Sequence, residues 1–245
     1  MAMIKSTSNI LYVRASLKPY ARNIIKAGGV IEFFKQSFEF EDIFSPYFQG
    51  ARPFWRPQKI GNATNSGALG KSLAKYPNAF VSHHPSHRFV GVGDRLKDIF
   101  ESHDHNTSCF FPISEIALQY DFSMLLIGCL NESPGFSTVH ATQYELGLTQ
   151  RHLIRYLFRW DMFDEPNVKS ITAKEAPGCS VSFSKFYSSY EADGNLVKGE
   201  LFGQQFLFIK SAKAALSTEK KILTEKPRFV DCGRLMCPTC RLRLY

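Results

Sequence analysis

Short apolar runs, separated by polar segments that contain glycine or proline, recur along the chain. A run of four to five apolar residues that ends at a glycine or a turn is typical of a buried strand whose carboxyl end opens into a loop. The pattern predicts three such strands: Ile10–Val13, Met124–Gly128 and Gly203–Ile209. Residues 181–190 alternate more loosely, which predicts further strands.

Helical periodicity fills the segments between these runs. Helices are predicted at Ile24–Phe38, Gly67–Tyr76, Asp94–Phe100 and Ser211–Leu223. Gly28 and Gly29 interrupt the first of them. Phe40–Ile60 is rich in aromatic residues and proline, which predicts a long loop that packs over the core or walls an acceptor site. Strands alternating with helices predict one compact α/β unit, with its sheet sandwiched between helices.

The composition is that of an ordinary globular protein of 245 residues, 44% hydrophobic and 21% charged. No segment approaches the length that spans a bilayer, and no apolar signal region follows Met1, so we expect a cytoplasmic protein without a membrane partner. Lys and Arg (30) exceed Asp and Glu (22), which gives a net charge of +8. This charge serves either as a solubility surface or to attract an anionic partner. Nucleic acid is not expected as that partner, because the basic residues form no stripe.

Two histidine-containing segments carry the candidate chemistry. One is Ser82–Gly93, and the other is Gly135–Gln143, which contains His140. The second follows the predicted strand Met124–Gly128, and ligands of open α/β sheets bind at the carboxyl ends of strands. A histidine delivered there by a loop rich in glycine, serine and threonine is a candidate for proton transfer. The alternative for His140 is a loop histidine with satisfied hydrogen bonds.

Several short motifs occur in a characteristic order: Tyr76–Ala79, His84–His87, an apolar stretch ending at Gly93, Pro112–Ser114, Leu125–Gly128 and Ser137–His140. Over roughly residues 9–150, and more loosely to about Val230, they resemble the aminoglycoside 3-N-acetyltransferase superfamily. The resemblance implies acyl transfer from a coenzyme A thioester to an amine. It also implies a three-layer α/β/α fold with a central, mostly parallel or mixed sheet, in one domain over residues 1–230.

The resemblance assigns His140 the role of general base, with the amine attacking the thioester directly and no acyl-enzyme intermediate. Relatives carry Glu three residues later, where this chain has Gln143. A neutral amide can fix the ring by a hydrogen bond, but it cannot stabilise an imidazolium by charge. Glu145 or another acid is the candidate for that task. Ser137 and Thr138 are candidate hydrogen-bond donors to the cofactor or to the oxyanion.

The resemblance also implies residues that bind coenzyme A: Arg14, Ser16, Leu17, His84 and His105. Ser16 and Leu17 match the loop that contacts the pantetheine arm, whereas Arg14 stands where relatives have histidine and is a candidate partner for a phosphate. From the residues alone, Ser16 is first of all a turn or helix N-cap residue. His84 is equally a structural histidine that caps a turn.

Cysteine spacing near the C-terminus indicates a metal site. Cys232, Cys237 and Cys240 form a Cys-x4-Cys-x2-Cys pattern, which brings three thiolates within reach of one zinc ion that needs a fourth ligand. Cys179 is the first choice for that ligand because it follows a Pro-Gly break, and a histidine is the alternative. We therefore predict a Cys-rich tail, residues 231–245, that holds a structural zinc and packs on the acyltransferase domain. Without a secretion signal, a disulfide framework is the weaker explanation.

The charge pattern bears on the acceptor. Aminoglycosides are polycations, and a site for them should be rich in carboxylates, whereas this chain is net positive, has Gln143 in place of Glu, and has Arg14 and Arg88. Phe110 and Phe111 replace small residues, which predicts a narrower pocket. The superfamily includes enzymes that acylate the amino group of a nucleotide-linked amino-deoxysugar.

We therefore predict transfer of an acetyl or 3-hydroxybutyryl group from acyl-CoA to a sugar such as a dTDP-3-amino-3,6-dideoxyhexose, in the biosynthesis of a surface polysaccharide such as a lipopolysaccharide O-antigen. One alternative is an aminoglycoside 3-N-acetyltransferase that confers antibiotic resistance. The other is an inactive homologue that acts as a binding protein. The two alternatives keep the fold but change the acceptor or remove the chemistry.

Overall fold

The structure is a computed structural model, and it describes residues 4–5, 9–49, 58–59, 67–131, 134–149, 159–164, 167–172, 174–175, 177–234, 237 and 240. For residues 5, 58–59, 159–164 and 167–172 only the backbone is described. Positions 50–57 and 60 of the predicted aromatic loop lie outside the described residues, as do 235–236, 238–239 and 241–245 of the predicted Cys-rich tail.

The strands of the described residues are named in chain order: β1 (Ile4–Lys5), β2 (Ile10–Ala15), β3 (Phe38–Glu39), β4 (Asp42–Pro46), β5 (Gln58–Lys59), β6 (Ala79–Val81), β7 (Phe89–Val92), β8 (Ser123–Ile127), β9 (Arg159–Asp164), β10 (Asn167–Thr172), β11 (Leu196–Leu201) and β12 (Gln204–Ile209). The α-helices of the same residues are α1 (Ala21–Ala27), α2 (Val30–Lys35), α3 (Ala68–Leu73), α4 (Lys97–Glu101), α5 (Phe111–Gln119), α6 (Thr138–Glu145), α7 (Tyr187–Ala192) and α8 (Ala212–Glu225). The predicted strands Ile10–Val13, Met124–Gly128 and Gly203–Ile209 and the predicted helix Ser211–Leu223 are therefore present as β2, β8, β12 and α8, with ends that differ by one or two residues.

Within the described residues, seven strands form the main sheet, in the order β11-β12-β8-β2-β4-β7-β6. The three central strands β8, β2 and β4 run parallel, whereas the strands on either side join them antiparallel. Two smaller sheets, β10-β9-β5 and β1-β3, lie apart from this order. The sheet is therefore mixed, with a parallel centre whose carboxyl ends share one edge.

Alternate residues of the central strands face two apolar cores, one on each side of the sheet. Along β2, Ile10 and Tyr12 lie in one core, and Leu11 and Val13 lie in the other. Residues of α4, α5, α6 and α8 complete the first core, and residues of α2 and α3 complete the second. This arrangement confirms the predicted three-layer α/β/α fold. No helix in the described part of the chain combines the length and the apolar character that crossing a bilayer requires.

Three predicted elements differ from the structure. Residues 181–190 form a 3-10 turn, Phe183–Phe186, followed by α7, instead of strands, because their large rings recur at helical spacings of three and four. Residues 42–46, predicted as loop, form the central strand β4, which pairs with β2 and β7 on its two sides. The predicted helix at 24–38 is two helices, because Gly28 adopts a left-handed φ of 86° and ends α1.

Candidate active site

The carboxyl ends of β2 and β8 border an open cavity of about 420 Å³, lined by residues 15–18, Gly67, Ala68 and Cys129. Ser16 and Leu17, predicted to bind the cofactor, line this cavity. Gly128 brings the two strand ends together, because a Cβ there would lie 2.7 Å from the carbonyl oxygen of Ser16. Adjacent parallel strand ends are where ligands of α/β sheets bind.

Arg14 links this cavity to the loop that precedes His140. Its Nη1 atom donates a hydrogen bond to the Gly135 carbonyl oxygen at 2.7 Å, and its own carbonyl oxygen accepts a weak hydrogen bond from the Cys129 thiol at 3.7 Å. On the other side of the loop, the Gly135 amide donates to the Tyr187 hydroxyl at 2.6 Å. The Arg14 guanidinium therefore has a structural contact besides any contact with a phosphate.

His140 lies in the first turn of α6, and not in the loop that the sequence predicted. Its ring stacks on the Phe110 ring, with centroids 4.5 Å apart and an interplanar angle of 22°. The Phe183 ring meets it at 66°, with centroids 4.6 Å apart. The side chain of His140 is 9% exposed. Two phenyl rings therefore fix the orientation of the imidazole and exclude most water from it.

The hydroxyls of Ser137 and Thr138, predicted to contact the cofactor or the oxyanion, have protein partners instead. The Ser137 hydroxyl shares a 2.7 Å hydrogen bond with the Tyr12 hydroxyl, inside the core. The Thr138 hydroxyl donates to Glu219 at 2.5 Å, and both threonines of α6, Thr138 and Thr142, hold this carboxylate. Both predicted residues are at most 4% exposed, so they anchor the start of α6.

Glu219 of α8 is the central acid of this anchor, and it was not predicted. It accepts hydrogen bonds from the hydroxyls of Thr138, Thr142 and Tyr190. Burial raises its pKa to about 7, although the three hydroxyl donors act in the opposite direction. A sequence signal was present: Glu219 follows Ala215 by four residues and precedes Leu223 by four, so it falls on the apolar face of the predicted helix.

Gln143 and Glu145 point to different sides of α6. Gln143 is fully buried, and within the described residues neither amide atom of its side chain has a hydrogen-bond partner. Glu145 is exposed, accepts a hydrogen bond from Ser114 at 3.2 Å and lies 3.7 Å from the Lys220 ammonium group. Glu145 therefore lies on another face of α6 than His140, because five residues along a helix turn a side chain away, and the prediction that Glu145 or another acid orients the ring stays a prediction.

His84 caps the turn that follows it, as the structural alternative proposed. Its Nδ1 atom accepts hydrogen bonds from the backbone amides of Ser86 (3.2 Å) and His87 (3.0 Å). The proton therefore lies on Nε2, which is buried and has no partner within the described residues. One ligand atom of each of His84, His87 and Cys109 lies within 4.8 Å of the others. In this tautomer Nε2 of His84 offers no lone pair to a metal ion.

Two further predicted residues do not line the cavity beside Ser16. His105 lies in the turn after α4, 34% exposed and 3.9 Å from Asp104. Arg88, taken as a sign of a phosphate-bearing acceptor, is 6% exposed, lies over the ring of Tyr47 and donates to Gln49 at 3.3 Å. The Arg88 charge therefore lies within the protein, and its burial lowers its pKa.

The predicted zinc ligands come together. The sulfur atoms of Cys179, Cys232, Cys237 and Cys240 lie within 4.8 Å of one another. A tetrahedral zinc ion with Zn–S distances of about 2.3 Å would bring its sulfurs to about 3.8 Å from one another, so the cluster needs only a small contraction to bind the ion. The donor set, four thiols, fits a structural site.

The model of one family, described as aminoglycoside 3-N-acetyltransferase, matches residues 36–224 of the chain. No curated protein sequence matches the chain.

Solved structures of the same fold are similar to this one over most of their length. The apoenzyme of aminoglycoside acetyltransferase AAC(3)-IVa is 15% identical, with a TM-score of 0.70, and the match covers 98% of this chain and 92% of that one. A binary complex of AAC-IIIb with CoASH is 13% identical, with a TM-score of 0.66, over 90% of this chain and 91% of that one. The YokD protein of Bacillus subtilis is 15% identical, with a TM-score of 0.66, over 92% and 90%.

Proposed function

Because the chain belongs to the aminoglycoside 3-N-acetyltransferase family, and is thereby an acyl-CoA-dependent N-acyltransferase by descent, we propose that it transfers an acetyl or 3-hydroxybutyryl group to the amino group of a nucleotide-linked amino-deoxysugar. A dTDP-3-amino-3,6-dideoxyhexose destined for surface polysaccharide is the model acceptor. The reaction would take place in the cytoplasm. The observation that carries the choice of acceptor is the neutral, buried side chain of Gln143, one helical turn from His140.

The donor site of the proposal is the cavity beside Ser16 and Leu17. Its volume of about 420 Å³ suits the pantetheine arm of coenzyme A, and its position at two parallel strand ends supports the assignment. Lys18, at the same rim, supplies a cation for a phosphate of the cofactor. His84 and His105 do not line this cavity, so the proposal no longer includes them as cofactor ligands.

The proposed base is His140. Neutral imidazole takes a proton from the neutral amine of the acceptor as the amine nitrogen attacks the thioester carbonyl carbon. The C–S bond breaks, and the departing thiolate of coenzyme A receives the proton from the imidazolium. The rings of Phe110 and Phe183 support this role, because they hold the imidazole in one orientation before the acceptor arrives.

The proposed acceptor follows from the charges around His140. A polycationic acceptor is best bound by carboxylates, yet two carboxylates on or against α6 are engaged elsewhere: Glu145 with Lys220 and Ser114, and Glu219 with three hydroxyls. Gln143 is neutral instead, so position 143 adds no negative charge one helical turn from His140 that would repel a phosphate. The net charge of +8 further favours an anionic acceptor.

Thiol release tests the reaction and the acceptor together. The protein is incubated with acetyl-CoA or 3-hydroxybutyryl-CoA and with either the dTDP-amino sugar or kanamycin. Release with the nucleotide sugar alone supports the proposal. Release with kanamycin alone establishes the aminoglycoside alternative, which the family match supports equally. If neither amine leads to thiol release, the inactive homologue that binds a ligand is supported.

Replacing the neutral amide of Gln143 by a carboxylate tests whether the charge at this position selects the acceptor. In Gln143→Glu, repulsion between the new carboxylate and the diphosphate should lower kcat/KM for the nucleotide sugar by about tenfold or more. The same variant should release more thiol with kanamycin. Gln36→Glu, at an exposed position after α2, changes the net charge equally and should leave both rates within about twofold. Unchanged kinetics in Gln143→Glu would show that the charge at position 143 does not select the acceptor.

Replacing His140 by Asn tests the base. The Asn amide keeps a polar group near the Nδ1 position but does not take up a proton, so thiol release should fall by a factor of about 10² to 10⁴. Binding of acyl-CoA and acceptor, measured by calorimetry, should persist. Full activity of His140→Asn would remove the residue from the mechanism.

We also propose that the four cysteines hold one structural zinc ion through Cys179, Cys232, Cys237 and Cys240. Four sulfur ligands fill the tetrahedral shell, so the ion would pin the C-terminus and would not activate water. Metal analysis of protein purified without added metal should give about one zinc per chain under this proposal. A zinc content near zero, together with no uptake of added zinc, would contradict it.

A further inference from the structure

The segment that carries Phe183 lies between the four-cysteine cluster and His140. Cys179 is four residues before Phe183 in the chain, and Phe183 is 1% exposed against the His140 ring. A connection of four residues therefore joins a candidate zinc ligand to a ring that touches the proposed base.

A second set of contacts ties the same segment to the C-terminal part of the chain. The Lys185 ammonium group donates hydrogen bonds to the carbonyl oxygens of Phe229 (3.0 Å) and Asp231 (3.1 Å). The Phe186 and Phe229 rings meet with centroids 5.1 Å apart. Asp231 directly precedes Cys232, so these contacts and the cysteine cluster hold both ends of one short connection.

The segment also supports the loop before His140. A Cβ atom on Gly135 would lie 2.2 Å from the Cβ of Phe183, so the two backbones are in direct contact. The Tyr187 hydroxyl accepts the Gly135 amide at 2.6 Å. Displacement of residues 183–187 would therefore disturb both the ring that touches His140 and the loop that leads into α6.

We propose that Phe183 is a positioning residue for His140, and that a zinc ion on the four cysteines holds Phe183 in place. The inference rests on the proposed zinc ligands and on the proposed role of His140 as base. The metal would act only through the chain: zinc fixes Cys179, the short connection to Phe183 allows little freedom, and the Phe183 ring restricts the orientation and the hydration of the imidazole. Loss of zinc would leave α6 folded, because Glu219 anchors it independently.

The experiment compares two variants that should each remove the contact between the Phe183 ring and His140. Cys232→Ser should abolish zinc binding, and Phe183→Ala should keep the zinc but remove the ring. In both variants we expect the rate at which diethyl pyrocarbonate modifies His140, followed by mass spectrometry of its peptide, to rise about tenfold, because the ring gains access to solvent. We also expect kcat to fall about tenfold, with the KM for acyl-CoA unchanged, since the cavity beside Ser16 is not touched.

The double variant Cys232→Ser with Phe183→Ala should show no larger effect than either single variant, because both changes remove the same contact. Arg234→Ala, an exposed substitution in the same part of the chain, should keep zinc and change both rates by less than about twofold. An unchanged reactivity of His140 in zinc-free protein would overturn the proposal, as would effects that multiply in the double variant.

The reactivity of His140 tests the role of zinc even if the proposed acyltransferase function is wrong. If the unaltered protein releases no thiol with any amine, the acyltransferase proposal fails, yet the reactivity of His140 still decides whether zinc positions Phe183. If zinc loss changes the reactivity of all accessible histidines and the KM for acyl-CoA alike, the protein has unfolded more widely, and a specific positioning role is excluded.

Discussion

The burial of Glu219 predicts that the free energy of unfolding depends on pH. Its carboxyl group is fully buried beneath α6 and accepts hydrogen bonds from Thr138, Thr142 and Tyr190. The perturbation is Glu219→Gln, which removes the titration while keeping the shape. The amide can still accept from two hydroxyls, and the Thr142 hydroxyl can rotate to accept from the new amide N–H.

Burial raises the pKa of Glu219 from its ordinary value of 4.5 to about 7 in the folded protein. Between these two values the folded protein binds more protons than the unfolded chain. The free energy of unfolding therefore falls as pH rises. The contribution of Glu219 is fully present below about pH 4.5 and is lost by about pH 7. One pKa unit corresponds to about 1.4 kcal/mol, so the loss amounts to about 3 kcal/mol.

The assay is urea unfolding of Glu219→Gln and the unaltered protein, measured at pH values from 5 to 8. The difference between the two proteins isolates Glu219 from other groups. His87 and His103 titrate in the opposite sense, because burial lowers their pKa values to about 4 and about 3, but they are common to both proteins. The variant should gain about 2 to 3 kcal/mol relative to the unaltered protein across this range.

Two results would refute the reasoning. A difference that stays constant from pH 5 to pH 8 would mean that Glu219 is ionised throughout, held by its three hydroxyl donors. A difference that changes in the opposite direction would mean that another group, and not Glu219, titrates differently in the two proteins. Tyr190→Phe provides an internal check, because loss of a donor to the carboxylate should raise the pKa of Glu219 further and extend the pH dependence upwards.

Three further substitutions test single features of the structure. Gly135→Ala combines a φ of 89° with a Cβ placed 2.2 Å from that of Phe183, so it should cost about 3 kcal/mol in the free energy of unfolding; a cost below 1 kcal/mol would contradict the close packing. Ser211→Ala removes the side chain that accepts the Ala214 amide at the start of α8 and should cost about 1 kcal/mol by urea unfolding, whereas Ser211→Thr should cost less. Glu145→Ala should leave kcat/KM for thiol release within about twofold, because this exposed carboxylate lies on another face of α6 than His140; a loss of tenfold or more would support its predicted catalytic role.

The strands and the long helix near the C-terminus are elements that the sequence predicts well, because their signals are local. Each apolar run carries its own burial pattern, and Ser211 begins α8 with a side-chain hydrogen bond that short-range sequence anticipates. The strand β4 has no such signal. Its residues include Asp42, Ser45 and Pro46, and they form a central strand because β2 and β7 supply partners on both sides.

Some features of the candidate site were likewise predicted from short motifs, whereas others depend on contacts between distant residues. Short motifs predicted His140 and Gln143 as catalytic residues and the cavity residues Ser16 and Leu17 as cofactor-binding residues, since residue order along the chain is enough to recognise a family resemblance. They did not predict which hydroxyls would be engaged inside the protein. Ser137 was predicted to contact a ligand and instead pairs with Tyr12, 125 residues away in the chain.

The sequence by itself therefore determined the α/β class, the family resemblance and the spacing of the last three cysteines, because each depends on residues close together in the chain. Only the tertiary structure decided that two phenyl rings enclose His140, that Glu219 supports its helix, and that Glu145 faces solvent. These outcomes depend on contacts between residues tens of positions apart, whose pairing is selected by packing of the whole core and not by the preference of any one segment.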